Sequence, residues 1–78
     1  MNWRDHIHSN PDILGGKPVI RGTRISVELV LEFFADGGSV PDVLKAYPHI
    51  NEEKVRAALS FAHDVLVDDK SNARRMAA

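Results

Sequence analysis

Along the second half of the chain, apolar residues recur at the spacing of a helix face. Val27, Val30, Leu31 and Phe34 follow the i, i+3, i+4, i+7 order and predict a helix from about Val27 to Asp36. Ser26 is of the N-cap type, with a hydroxyl that can accept from an orphan first-turn amide. Ile25 and Val30 are placed for a hydrophobic staple across that start, and Gly37 stands where a helix commonly ends. Leu29 and Phe33 lie one turn apart on a second face. At roughly 100° per residue, the apolar arc covers about half the circumference or more. Only Glu28, Glu32 and Asp36 mark a wet side. An arc this wide predicts two packing partners: the helical core on one side, and the N-terminal arm or another subunit on the other.

Two more helices follow. Val40, Val43, Leu44 and Tyr47 repeat the stripe over about Val40 to Tyr47. Ser39 and Asp42 are spaced like a capping box, Pro41 suits a first turn, and Pro48 stops the helix. A third helix is predicted from about Glu52 to Leu66. Asn51 is its cap, Glu52 and Glu53 sit at the positive end of its dipole, and Ile50 with Val55 forms a staple. Val55, Ala58, Leu59, Ala62, Val65 and Leu66 make its core face, with Phe61 at the margin. The wet face is then Glu52, Glu53, Arg56, Ala57, Ser60, His63 and Asp64. Residues 68–78 lose the periodicity and read as a loose tail.

The N-terminal third has a different pattern. Asp5 to His8 is a candidate strand, and Asn10-Pro11-Asp12 is a turn signal. His6 and His8 share a face if that strand forms, yet no further ligand lies near them, and solvated histidines are favoured over a metal site. The segment GGKPVIRGTRIS, residues 15–26, holds three of the five glycines and three basic residues without an acid. Gly15, Gly16 and Gly22 are turn-forming, and Pro18-Val19-Ile20 and Arg24-Ile25 are short extended candidates. The segment reads equally as a small hairpin or paired arm bent at Gly22, or as a tight loop leading into the first helix.

Composition narrows the function. A chain of 78 residues makes one domain, divided here into an extended arm (1–25), a three-helix core (26–67) and a tail (68–78). A domain of this size has a marginal core and usually needs a disulfide, a metal or a partner. There is no cysteine, so by elimination the staple is another protein chain, and a reducing, cytoplasmic setting fits. No signal peptide or membrane-length apolar run is apparent. The net charge is −1, so nucleic-acid contact would need a local patch, such as Lys17, Arg21 and Arg24. No nucleophile–base pair, phosphate loop or cofactor motif is evident, and an enzyme is not expected.

The run NPDILGGKPVIRGTRISVELVLEFFADGGS, followed by YPHI and the last amphipathic helix, resembles the family catalogued as domain of unknown function 433. The resemblance covers residues 3–66, and GGKPVIRGTR is its most specific part. It implies a small helix-turn-helix-like domain, an antitoxin of a type II toxin–antitoxin pair whose partner resembles PIN-domain ribonucleases. Together with the helix pattern, the expected fold is all-α: a three-helix, homeodomain-like helix-turn-helix core with a short β-like N-terminal arm. The expected function is neutralisation of the ribonuclease by direct binding, with autoregulation of the operon. The alternative is a small helix-turn-helix DNA-binding regulator without a toxin. Lys17, Arg21 and Arg24 are the candidate toxin or nucleic-acid contacts. Arg21 is favoured for the inhibitory one, Arg24 for a tie to Glu28, Glu32 or Asp36, and Arg74-Arg75 is the competing element on the tail. Trp3, Leu29 and Phe33 are the candidate contacts of a homodimer or higher even oligomer.

Overall fold

Ser26 and Gly37 bound the first helix as their chemistry requires. In a computed structural model of the chain, which describes residues 2–68, α1 spans Val27–Ala35 and the Ser26 hydroxyl accepts from the Leu29 amide at 3.0 Å. At its far end the amides of Gly37 and Gly38 donate to the carbonyls of Phe34 and Phe33 (3.0 and 2.8 Å), a double closure that satisfies two orphan carbonyls. A Cβ on Gly38 would stand 2.7 Å from the Phe33 carbonyl oxygen. The same chain reversal therefore depends on a missing side chain. Helix α2 (Val40–Ala46) opens with the Asp42 carboxylate accepting from both the amide and the hydroxyl of Ser39 (2.8 and 2.9 Å). Helix α3 (Glu52–Asp68) opens with the Asn51 side chain accepting from the Lys54 amide at 3.0 Å.

The N-terminal third is a folded part of the domain. Trp3–Asp5 forms one turn of 3-10 helix where a strand was expected from Asp5, and only Ile7–His8 is extended, as β1. It pairs antiparallel with β2 (Val19–Ile20), Ile7 opposite Ile20 and His8 opposite Val19. The other edge of β2 is met by the chain returning from the bend at Gly22. The Ile20 amide donates to the Ile25 carbonyl (2.9 Å), the Val27 amide donates to the Pro18 carbonyl (3.0 Å), and Ser26 bridges Val19. Of the two readings of this segment, the paired one holds. The Thr23 amide closes a tight turn onto the Ile20 carbonyl at 3.0 Å, with Gly22 at φ 76°. A positive φ at the third position of such a turn is the reason for a glycine.

The domain is therefore mostly helical, three helices with a small antiparallel sheet. Its core draws on every part: Ile7, Val19, Ile20, Ile25, Val27, Val30, Val43, Ile50, Val55, Ala57 and Ala58 are buried. The faces of α3 differ from expectation. Ala57, assigned to the wet side, is fully buried, whereas Val65 and Leu66, assigned to the core, are 52% and 65% exposed. Both differences have one cause. The 3-10 turn and β1 pack on α3 beside α1 and reach along it as far as Asp64, so α3 is covered on two sides up to that point, and among the described residues Val65 and Leu66 are left exposed beyond it.

Two glycine substitutions separate conformation from space. Gly38→Ala forces a Cβ against the Phe33 carbonyl and should cost about 1–3 kcal/mol. Gly22→Ala meets no atom within 4 Å and should cost about 1 kcal/mol through its positive φ alone. Urea unfolding of the two variants checks both values, and an unchanged midpoint for Gly38→Ala would contradict the close approach.

Candidate functional site

Two long-range polar contacts fasten the N-terminal turn to α3. The Trp3 indole Nε1 donates to Asp64 Oδ2 at 2.6 Å, and His6 Nε2 meets Glu53 Oε1 at 2.9 Å. Glu53, Ala57, Phe61 and Asp64 follow one another down a single helix face. Trp3 also stands edge-on to Phe61, with ring centroids 4.8 Å apart, and carries the Arg4 guanidinium 4.4 Å above its own ring. Trp3 is thus engaged within its own chain. The indole N–H, and then His63, hold the Asp64 carboxyl below its ordinary value, because each favours the charged form.

The basic residues of the β2 turn separate into three situations. Lys17 Nζ pairs with Glu28 Oε2 at 2.8 Å, with both side chains more than half exposed. The hydrogen bond and charge raise the Lys17 pKa and lower that of Glu28, but solvent screening leaves such a pair little weight in stability. Arg21 reaches back to the N-terminal turn, donating to the Arg4 carbonyl (3.3 Å) and lying 3.4 Å from His8 Nδ1. A guanidinium can only donate, so Nδ1 is the accepting nitrogen in that contact and Nε2 is the other ring nitrogen. That Nε2 is buried and has no partner among the described residues. Arg24 is exposed, and its side chain makes no hydrogen bond or ion pair among the described residues. Of the two arginines, it is Arg21 that makes internal contacts. Arg21 is tied to the N-terminal turn, and Arg24, although it lies beside α1, makes no bond to Glu28, Glu32 or Asp36 among the described residues.

Arg24 lines a shallow groove with Leu14, Glu28, Leu29, Leu31 and Glu32. Leu14 is 38% exposed and has φ 49°, the positive-φ non-glycine among the described residues. Gly15 and Gly16 follow at 67° and 90°, so three left-handed residues in succession present the Leu14 side chain to solvent. A strained backbone displaying an apolar residue is a feature seen at functional positions. Leu29 and Phe33 are half-buried against the core, Phe33 edge-on to Tyr47 at 6.0 Å. On their outer side they floor a hollow rimmed by Glu32, Asp36 and Asp42. Three carboxylates make that hollow a poor symmetric contact, since each copy would bring like charges to the seam. The tail arginines Arg74-Arg75 lie outside the described residues. No cluster of three or more metal-ligating side chains occurs among the described residues, and no helix there is long and apolar enough to cross a membrane.

The family model and the solved structure point to one family. The family model described as "Protein of unknown function (DUF433)" matches residues 7–62. The chain is 48% identical over 59 residues to "Uncharacterized protein y4eO" of Sinorhizobium fredii (strain NBRC 101917 / NGR234), a match covering 76% of this chain and 27% of that protein. The chain thus spans about a quarter of that curated relative. In fold it resembles the crystal structure of a DUF433 member from Anabaena variabilis, with a TM-score of 0.75 and 25% identity, covering 96% of this chain and 71% of that one.

The Trp3–Asp64 contact gives a pH test. A carboxyl lowered in the folded state contributes stability that is fully present above its unfolded value and is lost as pH falls through the lowered one. Asp64→Asn should therefore lower the melting temperature at neutral pH and flatten the acid limb of the profile, the two proteins converging as pH falls through the lowered carboxyl value of the wild type. Trp3 fluorescence followed through the same titration should lose its Asp64-dependent transition in the variant.

Proposed function

The chain belongs to the DUF433 family, and on that premise we propose that it is the antitoxin of a type II toxin–antitoxin pair that neutralises a PIN-like ribonuclease by direct protein–protein binding. The observation that carries this reading is Arg24, an exposed guanidinium without an internal partner, next to an apolar side chain displayed on a strained loop. A PIN-like nuclease holds its metal with a cluster of carboxylates. Arginine is suited to such an anionic pocket, because it keeps its charge and can hold a carboxylate through two parallel hydrogen bonds. Leu14 beside it supplies an apolar anchor, the pairing typical of an interface hot spot. The loop is already folded, since its flanks belong to the sheet, and docking it costs less ordering than docking a free segment.

In the finer fold reading, the three helices form a helix-turn-helix, with α2 and α3 as its two arms joined through Tyr47–Asn51. Support for DNA binding through α3 is weaker. The face carrying Glu53, Ala57 and Asp64 lies under the N-terminal turn, and Arg56 on the open side is paired with Glu52 at 2.8 Å. Base reading needs free donors on the recognition helix. Any operator contact in the autoregulation expected of such antitoxins would fall to Arg21 and Arg24.

Co-expression with the ribonuclease encoded beside the gene tests the reading. Arg24→Ala should keep the melting temperature and weaken the complex by about 100-fold, releasing toxicity. Arg21→Ala should have a smaller effect, and Arg74→Ala with Arg75→Ala the least. Full neutralisation by the Arg24 variant, or a neighbouring gene product without nuclease activity, would refute the assignment.

A further inference from the structure

The last two turns of α3 and one side of α1 enclose an apolar groove of about 500 Å³. Pro18, Val27 and Leu31 form one wall, and Phe61, Ala62, Val65 and Leu66 form the other. Its charged neighbours, Lys17 and Glu28, neutralise each other across 2.8 Å. The outer lip is strongly apolar: Leu31 is 38%, Val65 52% and Leu66 65% exposed. Scattered apolar residues on a surface are ordinary, but a continuous groove with an apolar lip marks an interaction site.

We propose that this groove is filled by a second copy of the chain, the two related by a two-fold axis, with the Val65–Leu66 ridge of each lying in the α1–α3 groove of the other. Three observations favour a second copy. Ridge and groove belong to the same face, which a closed, self-complementary contact requires. The rim carries no net charge, so neither a nucleic acid nor an anionic membrane finds the cations it would need, and the chain's own net charge of −1 brings little repulsion between copies. The exposed turns of α3 are those that no other element among the described residues covers, in a domain too small to build a large core alone. The expected dimer contacts Trp3, Leu29 and Phe33 give way to Leu31, Val65 and Leu66 on this account, since Trp3 is engaged with α3 and the outer side of Leu29 and Phe33 is ringed by acids. The proposal does not depend on the antitoxin reading, because its test contains no toxin.

Sedimentation equilibrium of the full-length protein at tens of micromolar should show a dimer. Leu66→Glu, at a site already largely in water in the single chain, should leave the circular dichroism spectrum and unfolding cooperativity intact and weaken the dimer by roughly 100-fold or more, since it carries a charge into an apolar contact. Ala46→Glu, the same added charge on exposed α2, should leave the dimer unchanged. In a dilution series, amide resonances of Leu31, Val65 and Leu66 should shift while those of Ala46 stay fixed. A monomeric wild-type protein overturns the proposal, as does a dimer indifferent to Leu66→Glu. Concentration-independent resonances at Leu31 and Leu66 would also overturn it, assigning the groove to residues 69–78 of the same chain or to a different protein.

Discussion

The backbone of Val19 and Ile20 holds this domain together. Both residues are fully buried, an uncommon state for neighbours on a strand, because alternate side chains point to opposite faces. A strand buried on both faces must also satisfy its backbone on both edges, and β2 lies between two partners. β1 pairs along one edge, and Ile25 to Val27 close the other. Buried amides and carbonyls need such partners, since an orphaned one costs about 1–3 kcal/mol. The bend at Gly22 supplies the second edge. Thr23 reinforces it, its hydroxyl donating to the Ile20 carbonyl (2.8 Å) and accepting from the Ile25 amide (3.0 Å). Ser26 then joins sheet to helix, pairing with Val19 through its backbone and capping α1 through its side chain. The direction in which α1 leaves the sheet is thereby fixed.

Features with a local cause were legible in the sequence. Ser26, Gly37, Ser39 with Asp42, Asn51 and Pro48 set the helix boundaries within a residue or two, because capping is decided by groups one turn apart. The bend at Gly22 was legible for the same reason. What escaped depends on contacts distant in sequence. Trp3 and Asp64 are separated by 61 positions and His6 and Glu53 by 47, and no periodicity announces either pair. Covering α3 from a second side buries Ala57, and alanine there reads equally as a surface residue. The small residue was a signal only in hindsight, together with Ala58 and Ala62: a helix lined with alanines can admit close neighbours on more than one side. Gly38 was passed over because Gly37 already accounted for the helix end.

The basic segment was legible as a region, and the contacts of its single residues were not. The basic, acid-free character of residues 15–26 drew attention to Lys17, Arg21 and Arg24 as a group. Their separate roles follow from which way the turn faces, and a spacing of three between the arginines does not reveal that. Arg21 lies on the side of the N-terminal turn and is held by the Arg4 carbonyl. Arg24 lies on the side of Leu14. The left-handed geometry at Leu14 was hidden for a related reason: leucine is not a residue expected at positive φ, so its neighbours Gly15 and Gly16 took the whole explanation of the turn.

The two proposed surfaces adjoin, and this has a physical consequence. Glu28 and Leu31 line both the groove beneath Arg24 and the α1–α3 groove. A two-fold contact through the second would therefore place two Arg24–Leu14 loops at a fixed separation on one rigid body. Each loop alone offers a small area, on the scale of weak, transient contacts. Two loops held at a set distance act together on a symmetric partner, because the second docks at an effective concentration fixed by the scaffold. Such a small domain gains affinity more readily by this route than by enlarging either surface, since a larger exposed apolar face would promote unspecific association. On this reading the overshoot of α3 and the strain at Leu14 serve a common end, and the short sheet around Val19 and Ile20 keeps the two surfaces in register.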